Sequence, residues 1–368
     1  MTYTVSVQTK GGMILSDISV RVYNDEKLTD LADAADLEDD GTVKLELPES
    51  DNYYIEIDGA PKGYEVADYY QFDDKKAKIV LTSSLITDED ISTAQLGLGD
   101  VMYDFTITTP DGDKYQLSEL LKEKKMVMLN FWYTTCSWCV TEFPIMSEAY
   151  QSYKDDIEIL ALNPLGEGAD AVRSFQNQYA LPFPTAECPS SWANVFSIAG
   201  YPTSVFIDQY GVICAVEAGA ITSLRPFVSA FDHFTAKDYE QKLCLNGVSD
   251  LVTQIKPTVE MPDSEEIEAV INGTDGITYH PEEGDGAEFT WPFVLGDLDG
   301  TKCIYASNKG IEDSYAIIYA DIELKKGQAI AFDYIVSCEN LNDALVVIVN
   351  GEDIYQISGA DANPSWKT

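Results

Sequence analysis

The sequence predicts a multidomain protein in which a central α/β domain is flanked by an N-terminal β domain and a C-terminal all-β domain. Three observations carry this. At 368 residues the chain is long enough for two or three domains. Apolar and polar residues alternate through the first part of the chain, and β-like runs return near its end. Between them, continuous apolar runs of strand length are separated by helical periods, the pattern of a sheet covered on both faces.

In the first domain, residues 1–85, Tyr3, Val5 and Val7 share one parity and Lys10-Gly11-Gly12 supplies a turn. Ile18, Val20 and Val22 follow, then Val43, Leu45 and Leu47 after Asp39-Asp40-Gly41, then Ile55 and Ile57, and finally Ile79 and Leu81. Period-2 alternation at short intervals reads as a half-buried antiparallel β-sandwich. The Ala- and Asp-rich piece from Leu31 to Asp40 reads as a surface excursion interrupting it. The pattern Asp40-Gly41-Thr42-Val43, Pro48, Tyr54-Ile55-Glu56-Ile57 and Ala60-Pro61-Lys62-Gly63-Tyr64 resembles the prealbumin-like, Cna-B-like β-sandwich modules of bacterial surface proteins.

Residues 98–235 form the α/β part. Short strands are expected at Asp104 to Ile107 and at Tyr115, a nearly all-apolar strand at Met126 to Trp132, and a helix from Cys139 to Tyr153. A second apolar strand covers Ile157 to Asn163, with helices at Ala169 to Tyr179 and Ser191 to Ala199. Thr203 to Ile207 and Val212 to Glu217 read as a hairpin, and Leu224 to Phe234 as a closing helix. Residues 236–287 are a helical and acidic linker, crowded with Pro, Glu, Asp and Gly from 257 onward. In 288–368 the runs Ala316 to Tyr319, Ala329 to Val336, Ala344 to Gly351 and Ile354 to Ile357 are β-like. The stretch from Leu324 to Gly351 resembles the jelly-roll adhesin-type domains of secreted bacterial proteins. Too few strands follow to close a second sheet, so a truncated domain, and a chain that is a fragment of a longer one, are expected.

The charge narrows function. With 63 acidic against 23 basic side chains the formal charge is −40, which disfavours binding to nucleic acid or to an anionic membrane surface. No apolar run reaches the roughly 18 residues that a spanning helix needs, so no transmembrane segment is expected in this chain. Met1-Thr2-Tyr3-Thr4-Val5 lacks a basic segment and an apolar core, so a secretion or lipoprotein signal is expected upstream of Tyr3.

The chemistry concentrates in Cys136-Ser137-Trp138-Cys139, placed where an apolar strand hands over to a helix. A first Cys at a helix N-terminus has its thiolate stabilised by unpaired N–H groups and the helix dipole. The second, one turn on, can resolve a mixed disulfide. Two other readings of a CxxC are a zinc half-site, for which there is no second ligand pair, and a structural disulfide. The other cysteines, Cys188, Cys214, Cys244, Cys303 and Cys338, show no clear pairing, and an odd total of seven leaves at least one thiol free or intermolecular.

The run from Asn130-Phe131-Trp132 through Cys136-Ser137-Trp138-Cys139 to Glu142-Phe143-Pro144 resembles the motif of the TlpA/ResA-like extracytoplasmic thioredoxins, within the AhpC/TSA-Redoxin superfamily. Gly200-Tyr201-Pro202-Thr203-Ser204-Val205-Phe206-Ile207-Asp208 and Gly211-Val212-Ile213 match two further family segments in order. The resemblance implies a thioredoxin fold for 98–235 and thiol-disulfide oxidoreductase activity. It implies no cofactor beyond the redox-active disulfide of Cys136 and Cys139, and a location outside the cell or in its envelope. Protein disulfides or dithiols would be the substrates, with a membrane electron donor or acceptor as partner. By resemblance Pro202 is the cis-proline beside the CxxC, with the main chain at Tyr201 free to pair with an extended substrate. Trp138, Tyr201 and Thr203 would contact that substrate. Thr135 stands where the family has Trp, and Asn130 where ordinary thioredoxins have a titrating Asp. Glu142 is the acid that the extracytoplasmic branch uses instead, and its expected role is to shuttle the Cys139 proton, its pKa raised by partial burial; a solvated helix residue is the plainer reading.

Two motifs mislead. Gly166-Glu167-Gly168-Ala169-Asp170-Ala171 has the form of a dinucleotide fingerprint, but its acids would face the pyrophosphate. Asp297-Leu298-Asp299-Gly300 has a calcium-loop beginning, yet Asn308 stands where the twelfth-position Glu should be; calcium in the C-terminal domain has no further support. The competing function class is a cell-surface adhesion or scaffold protein with a redox-silent thioredoxin module.

Overall fold

The computed structural model describes residues 1–252, 257, 260–271, 277–281, 290–298, 300–308, 314–323, 331, 333–334, 345–350 and 352–357. One compact unit lies within Met1–Ile255, and a second within Lys256–Lys309 and Ser314–Thr368.

The first unit opens with eight strands: β1 (Thr2–Thr9), β2 (Ser19–Tyr23), β3 (Leu31–Asp36), β4 (Thr42–Glu46), β5 (Tyr54–Asp58), β6 (Tyr64–Glu65), β7 (Tyr70–Gln71) and β8 (Lys76–Ser83). They make two four-stranded sheets, ordered β4-β1-β8-β6 and β3-β2-β5-β7. Val5, Val7, Leu45 and Ile79 from one sheet and Val20, Val22 and Ile55 from the other are buried in a common core. The alternation in sequence is therefore the inward face of each strand. Leu31 to Asp40 departs from the surface excursion expected of it. Its first six residues are β3, an outer strand paired antiparallel to β2, whose small and acidic side chains suit a half-solvated edge.

The α/β part follows with β9 (Thr106–Thr108), β10 (Lys114–Gln116), α1 (Leu117–Glu123), β11 (Met126–Phe131), α2 (Ser137–Tyr153), β12 (Ile157–Asn163), α3 (Ala169–Tyr179) and β13 (Thr185–Glu187). It continues with α4 (Trp192–Val195), β14 (Thr203–Asp208), β15 (Ile213–Ala218) and α5 (Leu224–Thr235). Five strands form one sheet, ordered β13-β12-β11-β14-β15. β11, β12 and β13 run parallel, while β14 and β15 are antiparallel additions. β11 and β12 are buried along their whole lengths, which explains their unbroken apolar sequences. Two short elements escape the periodicity argument, α1 with seven residues and β13 with three. The expected strand at Asp104 begins later because the Asp104 carboxylate instead accepts from the Ser118 N–H at 2.9 Å, at the start of α1. The short helix ends at Val195, and Ser197 adopts a left-handed φ of 51° just beyond it.

The segment assigned to a linker after residue 235 begins as part of this fold. Cys244 bridges Ala215 of β15 in parallel, and its N–H donates to the Cys214 carbonyl at 2.8 Å. Gln241 meets the N-terminal sheets: its N–H donates to the Gly11 carbonyl at 2.8 Å, and its Oε1 accepts from Thr9 Oγ1 at 2.7 Å. A Cβ on Gly11 would sit 2.6 Å from that of Gln241, so the approach requires glycine. Gln241 Nε2 in turn donates to Asp208 Oδ2 at 2.7 Å. Asp208 also accepts from Tyr239 Oη and from the N–H groups of Tyr210 and Val212. Burial pushes this carboxyl above the usual range, and the four donors oppose it.

In the second unit, α6 (Ser264–Ile271) precedes β16 (Thr278–His280), β17 (Phe293–Leu298), β18 (Thr301–Ala306), β19 (Tyr319–Asp321), β20 (Leu345–Val349) and β21 (Glu352–Ile357). The strands pair antiparallel as β16 with β19, β17 with β18, and β20 with β21. The beginning of the calcium-like motif is a hairpin turn: Leu298 pairs with Thr301, Gly300 takes a φ of 82°, and its N–H donates to Asp297 Oδ1 at 2.8 Å. Among the described residues no cluster of three His, Cys, Asp or Glu side chains could hold a metal ion, and no helix is long and apolar enough to cross a membrane. Most of the jelly-roll-like stretch, including Ala329, Ile330, Phe332, Ile335, Val336 and Cys338, lies outside the described residues.

Replacing Gln241 by Ala strips one donor from buried Asp208 and leaves the Thr9 hydroxyl without its acceptor. The expected cost is about 1–3 kcal/mol in urea unfolding of this unit; a loss under about half a kcal/mol contradicts a stabilising role for this junction.

Candidate functional site

β11 ends at Phe131, and α2 begins after Cys136, which occupies its N-cap. Cys136 and Cys139 are joined by a disulfide, with Cα atoms 5.3 Å apart. The Cys139 N–H donates to Cys136 Sγ at 3.1 Å, so the first sulfur sits on an unpaired helix-terminal donor. Of the pair only Cys136 is exposed at all, at 3% against 0% for Cys139. An incoming sulfur nucleophile or electrophile thus reaches Cys136.

Glu142 lies one turn beyond Cys139 and is wholly buried, more than the partial burial expected. Its Oε2 accepts from Asn130 Nδ2 and its Oε1 from the Ile221 N–H, both at 2.9 Å. Burial pushes the Glu142 carboxyl up to about 7, against the two donors, and the negative charge of Glu217 adds to the rise. The solvated-residue reading of Glu142 is excluded. Asn130, in the position of a titrating Asp, serves as a donor: the same Nδ2 also reaches Ser204 Oγ on β14 at 3.0 Å.

The Tyr201–Pro202 peptide is cis. The Pro202 carbonyl accepts from the Gly219 N–H at 2.9 Å, tying this turn to the loop that also supplies Ile221. Beside it Tyr201 is half-buried and meets the Tyr133 ring edge-on, centroids 5.5 Å apart. Trp138 is 61% exposed, a large apolar side chain left in solvent next to the disulfide. Thr203 differs from the expectation of a substrate contact: it is buried, and its hydroxyl donates to the Gly200 carbonyl at 2.8 Å. Trp132 is buried against Phe143 and Phe175, a packing group.

The fingerprint-like Gly166-Glu167-Gly168 turn belongs to the site for another reason. Glu167 accepts from the Thr134 N–H at 2.9 Å and from its hydroxyl at 2.6 Å, two residues before Cys136. Asn163 Nδ2 braces the same carboxylate at 2.6 Å. Glu187 accepts from the Gly168 N–H at the start of α3. Glu187 therefore occupies one main-chain donor that a pyrophosphate would use, and Glu167 is committed to Thr134. Sequence reasoning missed Glu167 as a clasp; a carboxylate between two glycines after a buried strand was the available signal.

The remaining described cysteines are free thiols and poor nucleophiles. Burial pushes Cys188 up to about 12 and Cys244 up to about 11, and raises Cys214 and Cys303 as well.

The AhpC/TSA family matches residues 98–216. The thioredoxin-like protein YneN of Bacillus subtilis is 30% identical over 145 residues, covering 39% of this chain and 76% of that protein. The thiol-disulfide oxidoreductase ResA of Bacillus anthracis is 36% identical over 121 residues, 32% of this chain and 68% of that one. The crystal structure of the thioredoxin domain of a thiol-disulfide oxidoreductase from Bacteroides vulgatus is 20% identical, covering 38% of this chain and 99% of that one, with a TM-score of 0.34.

Glu142 makes a prediction about stability. Its carboxyl titrates near 4.5 when unfolded and about 7 when folded, so ionisation favours the unfolded chain. The folded state has its full stability below the unfolded value and loses about 3 kcal/mol as pH rises from there through 7. Urea unfolding from pH 4.5 to 8 is expected to show that loss for the wild type and not for Glu142→Gln; parallel curves contradict it.

Proposed function

Given that the chain belongs to the thioredoxin-like thiol-disulfide oxidoreductases of the AhpC/TSA family, we propose that it exchanges disulfides with protein substrates outside the cytoplasm through Cys136 and Cys139. As a reductase, the Cys136 thiolate attacks a substrate disulfide, forming one S–S bond and expelling a substrate thiolate. Cys139 then attacks Cys136, releases the second substrate thiol, and leaves the disulfide seen here; two electrons have passed to the substrate. The same steps in reverse oxidise a dithiol. The sulfurs carry both electrons, so the exchange needs no bound cofactor. A membrane-borne donor or acceptor would return the pair to its starting state.

The observation that carries this reading is Glu142. Cys139 is sealed from solvent, so its proton needs a local acceptor when it attacks and a local donor in the reverse step. A carboxyl one turn away that titrates near 7 can do both. Trp138 and the Tyr201 main chain, which takes no hydrogen-bond partner among the described residues, supply an apolar platform and an extended pairing edge for a polypeptide.

Two experiments test this. Insulin-disulfide reduction with dithiothreitol is expected to fall to the uncatalysed rate in Cys136→Ser; equal rates for variant and wild type would leave the scaffold reading. The pH profile of Cys139 alkylation in the reduced protein is expected to lose its inflection near 7 in Glu142→Gln, and an unshifted profile removes Glu142 from the mechanism.

A further inference from the structure

A polar row crosses the sheet beneath the disulfide. Asn130 on β11 pairs in register with Ser204 on β14, and Ser204 with Glu217 on β15. Directly opposed residues share a face, and this face carries Met128, Phe206 and Ala215 into the core that α2 and α5 cover. Asn130 donates to both Glu142 and Ser204. Since Ser204 Oγ accepts there, its own proton is directed elsewhere, and Glu217 is the next residue in the row. Glu217 Oε2 accepts from the Val248 N–H at 3.0 Å, beneath the segment after α5. Gly247 suits that closure because it takes a left-handed φ of 71°, and a Cβ there would also push on Glu217 Oε2.

We propose that Glu217 is a positioning residue for the Cys139 proton transfer, a second carboxylate whose charge acts on Glu142 across the Asn130–Ser204 row and holds the proton on it. The inference rests on the role given to Glu142 above. Charged side chains on the elements packed against α2 are Glu158 on β12 and Arg225, Asp232 and His233 on α5, with Glu217 across the sheet on β15. Glu158 accepts from Tyr150 Oη at 2.9 Å. Asp232 accepts from Tyr153 Oη at the far end of α2, and His233 lies against Phe234 and Tyr239. The charge of Glu217 acts on Glu142 and disfavours a second negative charge there. Glu217 is itself pushed up by burial, and the Val248 N–H opposes that rise. The segment from Cys244 to Val248 thus reaches the redox centre through the carboxylate it covers.

The test is an infrared pH titration of the oxidised full chain, reading the C=O stretch of protonated buried carboxyls in the wild type, Glu142→Gln, Glu217→Gln and Glu217→Asp. A wild-type band lost near pH 7 and absent from Glu142→Gln assigns it to Glu142. Glu217→Gln, which keeps an acceptor for Val248, is expected to move the midpoint of that band down by about half a unit to one unit. Glu217→Asp, which keeps the charge, is expected to hold the wild-type midpoint. An unmoved midpoint in Glu217→Gln, or the same downward shift in Glu217→Asp, overturns the Glu217 proposal while leaving the Glu142 role standing. A band near 7 that survives in Glu142→Gln overturns both. If Glu217→Gln does not fold, Glu217→Asn is read in its place: a downward shift supports the charge effect, and an unmoved midpoint overturns it.

Discussion

The site depends on one carboxyl group taken out of water with no cation paired to it among the described residues. Glu142 is held by an amide from the central strand and a main-chain N–H from the loop after β15. Burying an ionised carboxylate with only two neutral donors is costly, so the group moves its titration to where it is neutral about half the time near pH 7. That cost is the source of its use. A carboxyl in the ordinary range would rarely hold a proton to return to Cys139, and one much higher would rarely accept. The same two donors fix α2 to the sheet and to the loop that also binds the Pro202 carbonyl, so the sulfur pair, its acid and the cis-proline turn share one set of hydrogen bonds.

What was legible in the sequence was whatever burial dictates. β12 and α3 lie where continuous apolarity and helical period put them, and the inward faces of β1, β2, β4, β5 and β8 follow the period-2 pattern. Cys136, Cys139 and Glu142 share a helix, so spacing alone places them together. Less legible was anything made by partners distant in sequence. Glu167 meets Thr134 across 33 residues and Gln241 meets Thr9 across 232, with nothing local to announce either. β3 was obscured because an edge strand can be acidic, and Thr203 because a short polar side chain next to a functional turn can face either way.

The stretch after α5 shows how composition misleads at a domain edge. Its Lys, Asp and Glu residues resemble the acidic linker that follows, but Tyr239, Gln241, Cys244 and Val248 point inward at spacings that suit neither helix nor strand. Tyr239 and Gln241 both reach Asp208, Gln241 also meets Gly11, and Cys244 and Val248 meet Ala215 and Glu217. The N-terminal sheets, the catalytic sheet and this segment are consequently parts of one compact unit.

The raised thiols have a consequence for the chain's own chemistry. A thiol that titrates near 11 is ionised about once in ten thousand molecules at pH 7, so Cys188 and Cys244 offer almost no thiolate to the disulfide they accompany. An enzyme that trades disulfides for a living is under constant risk of trading with itself. Here Cys188 and Cys244 are kinetically insulated, and neither competes for the Cys136–Cys139 bond.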